Sequence, residues 1–297
     1  MPKALPGLEG QSLSSARHLV HSILSGAGFE NSQREARLLI EFATGLTAER
    51  ILLCDTRPLS GREARVLAEA ITRRLAHEPL SRIKGERNFY GRMFEIGPAV
   101  LDPRPETEAL VDLVLEWADN TGGRHRPMSI VDIGTGSGCI LVTLLAELPF
   151  ATGVGTEVSD DAIRVARGNA ERHTVAARAR FELARSLEGM EGPFDILVSN
   201  PPYIPSKDIA GLDPAVRDFD PRCALDGGAD GLDVYREIAA RAGAVVPAGL
   251  IALEVGAGQA PGVARIFADA VENRSGPPWS TADLGGHNRT VALLTQS

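Results

Sequence analysis

The sequence predicts an α/β protein, in which a doubly wound, mostly parallel sheet follows a small bundle of helices. Three observations support this prediction. Amphipathic helical patterns continue to about Gly85, short apolar runs alternate with helical segments from Ser129 onward, and a glycine-rich turn follows the first of those runs. We therefore expect a helical domain over residues 1–85, a hairpin linker over 86–105 and a sheet domain over 106–297.

The amino-terminal segment has the apolar spacing of amphipathic helices. Apolar residues at positions 16, 19, 20, 23 and 24 lie on one helical face, and Gly26 ends that helix. Ser32–Glu35 and Ser60–Glu63 each match a capping box, in which a serine and a glutamate satisfy the first free amides of a helix. This bundle carries no catalytic constellation, so we expect it either to recognise a partner or to pack on the next domain.

The linker is rich in glycine, proline, arginine and aromatic residues. Residues 86–92 and 93–100 predict a hairpin that turns at Gly91. Its arginines form either a solvated surface or a docking face for an anionic partner. The following Pro103-Arg104-Pro105 predicts a rigid corner that holds one guanidinium in place, with Pro105 in the first turn of the next helix.

The remaining chain alternates strands and helices. Strands are expected at 129–133, 154–158, 179–183, 194–199, 250–255 and 289–295, and helices at 139–148, 160–173, 232–244 and 259–270. Residues 205–231 are too long for a simple connection, so they form either a segment that closes over a substrate or a disordered surface loop.

Composition disfavours several classes of protein. The 297 residues carry 31 basic and 39 acidic side chains, a net charge of −8, which argues against wrapping nucleic acid. No apolar run approaches the length of a membrane helix, and the amino terminus lacks the pattern of a signal peptide. Cys54, Cys139 and Cys223 have no metal-ligand spacing, so we expect no metal, reduced thiols and a cytoplasmic protein, with Cys139 serving in packing.

The glycine-rich turn indicates a nucleoside cofactor. Gly134, Gly136 and Gly138 let the backbone turn sharply into the next helix and approach a ligand closely. Glu157 ends the following strand, where a carboxylate can accept hydrogen bonds from a ribose diol. No lysine follows the glycines, which disfavours a triphosphate, whereas a dinucleotide such as NAD remains possible on spacing alone.

The stretch Asn200-Pro201-Pro202-Tyr203 predicts the chemistry. It forms a stiff elbow after a buried strand, where the Asn200 side-chain oxygen and the Pro201 carbonyl can accept both hydrogens of a planar amide or amino nitrogen. Tyr203 can cover that group. Such a nitrogen is a poor nucleophile, and the methyl group of S-adenosylmethionine is already activated, so positioning can supply most of the catalysis without a general base.

Together these motifs resemble the release-factor glutamine methyltransferases. The resemblance covers nearly the whole chain and rests on four stretches: Phe89-Tyr90-Gly91, residues 103–108, residues 132–138 and residues 200–204. It implies a class I methyltransferase domain with an antiparallel last strand, and transfer of a methyl group to the N5 amide nitrogen of the Gln in the Gly-Gly-Gln loop of peptide chain release factors. It also implies a cytoplasmic protein whose helical domain helps to grip the release factor. Separately, we expect a monomer without direct nucleic-acid binding, the latter because the chain is acidic.

The resemblance also implies roles for particular residues. Those expected to bind S-adenosylmethionine are Gly134, Thr135, Gly136, Ser137, Gly138, Glu157, Ser186 and Asn200. Those expected to bind the substrate are Arg104, Asn200, Pro201, Pro202 and Tyr203, of which Asn200, Pro201 and Tyr203 would be catalytic. Two positions depart from the usual family pattern. Asp102 stands where the family usually has an apolar residue, and Arg185-Ser186 stands where it usually has Asp followed by an aromatic or apolar residue near the adenine. Because of the change at Arg185, we expect weaker cofactor binding.

Three alternatives share some of these features. Asn-Pro-Pro-Tyr also occurs in amino-methyltransferases of adenine and cytosine, in which Tyr203 would stack on a flipped base. A sister family methylates Gln in a ribosomal protein. The change at Arg185 would also suit a non-catalytic protein that binds a cofactor or a partner.

Overall fold

The computed structural model describes residues 7–282 and 285–296. The chain forms two compact units, Met1–Gly85 and Glu86–Ser297. No helix within the described residues is long and apolar enough to cross a membrane.

The first unit is helical. Its helices are α1 (Leu13–Gly26), α2 (Ser32–Thr44), α3 (Ala48–Leu53), α4 (Gly61–Leu75) and α5 (Leu80–Lys84). The capping box predicted at Ser60–Glu63 is confirmed, with Glu63 Oε2 accepting from the Ser60 amide at 2.8 Å. The box predicted at Ser32–Glu35 is wrong. Ser32 is buried inside the first turn and its hydroxyl lies 3.0 Å from Nδ1 of His21, so it does not cap α2.

The second unit contains a hairpin and a seven-stranded sheet. Its strands are β1 (Glu86–Phe89), β2 (Arg92–Glu95), β3 (Met128–Ile133), β4 (Ala151–Glu157), β5 (Ala179–Leu183), β6 (Ile196–Ser199), β7 (Gly249–Glu254), β8 (Trp279–Ala282) and β9 (Asn288–Thr295). Its helices are α6 (Glu108–Asn120), α7 (Cys139–Glu147), α8 (Asp160–Arg172), α9 (Pro214–Arg217), α10 (Asp233–Val245) and α11 (Ala260–Ala270).

The sheet has the order β5-β4-β3-β6-β7-β9-β8, which confirms the predicted doubly wound architecture. The five neighbouring strands β5, β4, β3, β6 and β7 are parallel to one another. Strand β9 is antiparallel to β7, as the family resemblance implied. The chain leaves β3 toward β4 on one side and later returns to β6 on the other. The carboxyl ends of β3 and β6 therefore border the crevice where open α/β sheets bind ligands.

Strand β8 was not predicted. Three of its four residues are exposed and none is buried, so its sequence lacks the apolar alternation by which a strand is recognised. It pairs with β9 at the edge of the sheet, where its side chains stay largely exposed and need not be apolar.

The predicted hairpin is confirmed, with strands shorter than expected. It turns at Tyr90 and Gly91, both of which have positive φ. The buried side chain of Asn169 on α8 fixes it: Oδ1 accepts from the Glu95 amide at 2.8 Å, and Nδ2 donates to the carbonyls of Glu95 and Ser137, each at 2.9 Å. One side chain thus joins the hairpin to the glycine-rich turn after β3.

Candidate active site

Two neighbouring cavities lie at the carboxyl ends of the strands. The first has a volume of about 310 Å³ and is bordered by the turn after β3 and by the ends of β4, β5 and β6. The second, of about 290 Å³, lies beside Tyr203, Glu254 and Arg289. Asn200 and Arg104 line both cavities. A ligand in the first cavity can therefore meet a ligand in the second at Asn200.

The floor of the first cavity is the turn after β3. Gly134, Gly136 and Gly138 all have positive φ, which L side chains rarely adopt. The Gly134 and Thr135 amides donate to the Thr156 carbonyl at 2.9 and 3.0 Å, so the turn is fixed to the end of β4. Gly134, Thr135, Gly136 and Ser137 line the cavity.

Gly138 does not line the first cavity. It is the residue before α7, and a Cβ there would lie 3.3 Å from the Cβ of Ala166. The absence of a side chain at Gly138 therefore lets the start of α7 pack closely against α8.

Glu157 lies at the wall of the first cavity, at the end of β4. Its Oε2 accepts from the Gly136 amide at 3.0 Å and its Oε1 from the Val158 amide at 2.8 Å. A carboxylate has about four acceptor positions, so each oxygen keeps one for a ligand. The two backbone amides hold the carboxylate in position to receive a pair of neighbouring hydroxyl groups.

Asp132 lies beneath the same turn. It is fully buried and accepts from the Thr135 hydroxyl at 2.7 Å. Burial raises the pKa of Asp132 to about 7, and the hydrogen bond from Thr135 opposes that rise. The carboxyl therefore supports the turn, because its fixed acceptor orients Thr135.

The end of β5 supplies the far wall of the first cavity, through Ala184, Arg185 and Ser186. Arg185 Nε and Nη2 lie 3.0 and 2.6 Å from the carboxylate oxygens of Glu237 on α10. Since the Arg185 side chain is 68% exposed, its guanidinium extends along the rim to α10. Ser186 has a positive φ, and its hydroxyl is buried without a hydrogen-bond partner among residues 7–282 and 285–296.

The elbow after β6 separates the two cavities. Asn200, Pro201 and Pro202 line the first, while Asn200 and Tyr203 line the second. Asn200 Nδ2 donates to the Thr107 hydroxyl at 3.1 Å, whereas Oδ1 has no protein donor within the described part of the chain. The acceptor oxygen of this side chain is thus available to a ligand, whereas the nitrogen already donates one of its two hydrogens to Thr107.

Tyr203 is fixed by its backbone. Its carbonyl accepts from Gln259 Nε2 at 2.9 Å, and Gln259 Oε1 accepts from the Gly256 amide at 3.1 Å. Burial raises the pKa of the Tyr203 phenol to about 12. The phenol therefore stays protonated near neutral pH, which suits it to contact rather than to proton abstraction.

Arg104 joins the corner Pro103–Pro105 to the long segment 205–231. Its Nη2 lies 2.6 Å from Asp220 Oδ2, and the Asp220 side chain is fully buried. Asp220 Oδ1 also accepts from the Asp102 amide at 3.3 Å. Segment 205–231 contains α9 and two 3-10 turns, Ile209–Gly211 and Arg222–Ala224, so of the two alternatives the disordered surface loop does not describe it.

Thr107, Asp220 and Glu254 belong to the site but were not predicted as functional residues. Glu254 is 2% exposed and lines the second cavity. Burial raises the pKa of the Glu254 carboxyl to about 7, and the polar Thr107 and Asn200 side chains and the charge of Arg289 oppose that rise. The sequence signal for Glu254 was a carboxylate ending the apolar run of β7, because buried carboxylates concentrate at functional sites.

Cys139 has the packing role that was predicted. Its side chain is buried behind the turn after β3, and burial raises the pKa of the thiol to about 12. The thiol is therefore not activated by the start of α7.

Two family models match the chain. The model described as the PrmC N-terminal domain matches residues 15–85, and the model described as a methyltransferase small domain matches residues 113–211. The two matches fall within the two compact units.

Curated relatives extend these matches to nearly the whole chain. The release factor glutamine methyltransferase of Bradyrhizobium diazoefficiens is 41% identical over 292 residues, which cover 98% of this chain and 97% of the relative. That of Rhodospirillum rubrum is 48% identical over 245 residues, which cover 82% and 74%. Among solved structures, the hMettl16 catalytic domain in complex with the MAT2A 3′UTR hairpin 6 is similar in fold, with a TM-score of 0.54, 16% identity, and coverage of 79% of this chain and 84% of that chain. The resemblance recognised from the motifs is confirmed, and the chain belongs to the release factor glutamine methyltransferase family.

Proposed function

We propose that this protein transfers a methyl group from S-adenosylmethionine to the N5 amide nitrogen of the Gln in the Gly-Gly-Gln loop of peptide chain release factors. One observation carries the proposal: Asn200 lies between two adjoining cavities and keeps a free acceptor oxygen there. The name of the curated relatives, release factor glutamine methyltransferase, gives the same reaction and the same acceptor.

The first cavity fits S-adenosylmethionine. The positive-φ glycines remove side chains from the floor, and Glu157 keeps an acceptor position on each oxygen for a ribose diol. With the ribose at the end of β4, we expect the adenine near Ala184–Ser186, which follow β5, and the methionine part toward Asn200, which follows β6; the strand order and the cavity lining support this arrangement. S-adenosylmethionine supplies a methyl group that is already activated on a sulfonium.

The elbow orients the acceptor amide. Asn200 Oδ1 and the Pro201 carbonyl accept its two hydrogens, so that the nitrogen presents its face to the first cavity. Tyr203 covers the planar amide from the second cavity, and Arg104, paired with Asp220, holds segment 205–231 beside the two cavities. Because each group is fixed before the substrate arrives, the site supplies orientation rather than a strong base.

The larger context of the substrate is also part of the proposal. We assign the helical unit Met1–Gly85 to binding of the release factor outside its Gly-Gly-Gln loop. The net charge of −8 supports recognition of a protein rather than direct binding of nucleic acid. We expect the protein to act as a monomer in the cytoplasm.

A methylation assay on purified release factors tests the function. The wild-type chain is incubated with S-adenosylmethionine and release factor, and the peptide containing Gly-Gly-Gln is examined by mass spectrometry. We expect one added methyl group on that Gln, and none when the Gln is replaced by Glu in the release factor. Calorimetry with S-adenosylmethionine runs in parallel. Normal cofactor binding without transfer to any release factor would refute the proposed substrate.

A further inference from the structure

The last part of segment 205–231 is attached to the elbow through the backbone. Ile204, the residue after the elbow, forms an isolated parallel bridge with Asp226. The Ile204 amide donates to the Leu225 carbonyl at 3.0 Å, and the Ile204 carbonyl accepts from the Gly227 amide at 2.9 Å. Because both polar groups of Ile204 are used in this way, the elbow and the segment hold each other in place.

Two glycines of this segment approach the elbow too closely to carry a side chain. A Cβ at Gly227 would lie 2.7 Å from the Pro202 carbonyl oxygen, and a Cβ at Gly231 would lie closer still to the Tyr203 carbonyl oxygen. Non-bonded carbon and oxygen atoms stay about 3.3–3.6 Å apart even in favourable Cα–H···O contacts. A side chain at either position would therefore displace the backbone of the elbow.

A third glycine, Gly256, approaches Tyr203 from the segment after β7. A Cβ there would lie 2.6 Å from Gln259 Oε1 and 3.0 Å from Cδ2 of the Tyr203 ring. Gln259 Oε1 accepts from the Gly256 amide at 3.1 Å, and Gln259 Nε2 donates to the Tyr203 carbonyl at 2.9 Å. The Gln259 side chain thus joins Gly256 to Tyr203, and the missing side chain at Gly256 leaves room for the Tyr203 ring.

These contacts determine which carbonyl of the elbow is left for a ligand. The Tyr203 and Ile204 carbonyls each accept one of these hydrogen bonds, and the Pro202 carbonyl lies against Gly227. The Pro201 carbonyl accepts no hydrogen bond within the part of the chain that the structure describes. The Pro201 carbonyl is therefore the one that remains fully available beside the Asn200 side chain.

The surroundings of Gly227 differ from those of a glycine that serves the core. A Cβ at Gly153 on β4 would clash with the buried Leu141 side chain of α7, so its absence lets a helix pack on the sheet. The atoms nearest to a Cβ at Gly227 are instead backbone atoms of Pro202 and Gly231. The missing side chain at Gly227 thus makes room for the elbow rather than for a core side chain.

We propose that Gly227, Gly231 and Gly256 are positioning residues of the methyl-transfer site: they let the backbone close around the elbow and fix the Pro201 carbonyl and the Tyr203 ring where the acceptor amide binds. None of the three glycines is among the described residues that line the two cavities, so they act through the elbow. The inference rests on the proposed function for its catalytic consequence.

The test compares Gly227→Ala, Gly256→Ala and Gly211→Ala with the wild type. None of these three glycines has a positive φ, so alanine changes only the space that is filled. Gly211 lies in the same segment as Gly227, and no atom lies within 4 Å of a Cβ there, which makes Gly211→Ala the matched control.

We expect kcat to fall about tenfold or more in Gly227→Ala and Gly256→Ala, since a misplacement of about 1 Å in a site can cost about 10²-fold in rate. The KM for the release factor and the Kd for S-adenosylmethionine should change less than about fivefold, because the groups that bind the rest of both ligands stay in place. Gly211→Ala should keep the wild-type values. This split between kcat and binding separates positioning from a general loss of structure.

A measurement without substrate tests the position of the elbow directly. The chain has three tyrosines, so protein with isotopically labelled tyrosine gives a simple NMR spectrum, in which the Tyr203 ring signal is identified by its absence in Tyr203→Phe. We expect that signal to move in Gly227→Ala and Gly256→Ala and to stay in place in Gly211→Ala. The signal of Tyr90, in the hairpin, serves as the internal reference.

The outcomes are distinguishable. A kcat within about threefold of wild type in both variants, or a Tyr203 signal that moves in neither, would overturn the inference. A parallel loss of kcat, cofactor affinity and melting temperature would also overturn it, because the glycines would then be merely structural. If Gly227→Ala does not fold, Gly256→Ala decides by the same readouts. Failure of the wild type to methylate a release factor would instead overturn the proposed function, and the Tyr203 signal would still report the position of the elbow.

Discussion

Arg104 Nη2 lies 2.6 Å from Asp220 Oδ2, although the two residues are 116 positions apart in the chain. The contact fixes segment 205–231 beside the corner Pro103–Pro105. It also means that the Arg104 guanidinium approaches the two cavities already paired with a buried carboxylate.

Replacing Asp220 should loosen that segment. Asp220→Asn removes the ion pair and should lower the free energy of unfolding by about 1.5–3 kcal/mol, since a hydrogen bond between charged groups is lost. Limited proteolysis should cut within residues 205–231 faster than in the wild type, and kcat/KM should fall. Asp218→Asn, at an exposed position of the same segment, is the control. Equal proteolysis of Asp220→Asn and wild type would show that the pair does not hold the segment.

Glu157 should control cofactor affinity. Glu157→Gln keeps the shape of the side chain but weakens the hydrogen bonds to a ribose diol, and we expect the Kd for S-adenosylmethionine to rise about 10- to 100-fold. Isothermal calorimetry provides the measurement, with Glu171→Gln on the exposed face of α8 as the control. A Kd within about threefold of wild type would mean that Glu157 only supports the turn through Gly136.

Asn200 should affect turnover more than cofactor binding. Asn200→Ala removes the acceptor for the substrate amide, so kcat should fall at least about 100-fold while the Kd for S-adenosylmethionine changes less than about fivefold. Single-turnover kinetics and calorimetry give the two quantities, with Asn120→Ala at the exposed end of α6 as the control. Equal losses in both quantities would make Asn200 a structural residue.

Arg185 should matter little for the cofactor, even though it departs from the family pattern. Its exposed guanidinium pairs with Glu237, and exposed pairs contribute about 0–1 kcal/mol. We therefore expect Arg185→Ala to change the Kd for S-adenosylmethionine less than about fivefold, with Arg164→Ala as the exposed control. A larger weakening would identify the Arg185–Glu237 pair as a direct contact of the adenine.

The raised pKa of Asp132 should appear in the pH dependence of stability. In the unfolded chain the pKa of Asp132 is near its ordinary value of 3.8, whereas in the folded protein burial raises it to about 7. The folded state therefore binds more protons between these values, and the free energy of unfolding should decrease as pH rises from about 4 to about 7 and level off above.

Urea denaturation of the cofactor-free protein across this range provides the measurement. Asp132→Asn should have a shallower slope, with the remaining slope coming from Glu254, whose pKa is also raised to about 7. Asp161→Asn, at an exposed position of α8, should keep the wild-type slope. A wild-type slope in Asp132→Asn would show that Asp132 does not titrate in this range.

Local patterns were enough to predict most of the fold and part of the site. The parallel strands were recognised from continuous apolar runs, and the turn Gly134–Gly138 with Glu157 needs only neighbouring strands to come together. The contacts Asn200–Thr107 and Arg104–Asp220 join residues 93 and 116 positions apart, and no local pattern encodes such a pairing. Strand β8 was not predicted because an edge strand needs no buried apolar face. The capping prediction for Ser32 was wrong because its hydroxyl hydrogen-bonds His21 in the folded bundle.

Asn169 gives the hairpin β1–β2 a part in cofactor binding. Its one amide group satisfies both the hairpin backbone at Glu95 and the carbonyl of Ser137 in the turn after β3. Two segments that share a fully buried partner lose it together, so their local opening is thermodynamically linked. Binding of S-adenosylmethionine to the turn after β3 should therefore slow hydrogen exchange in the hairpin, although the two segments are more than 40 residues apart in sequence. The amides of residues 92–95 would then report whether the cofactor cavity is occupied, although these residues do not line that cavity.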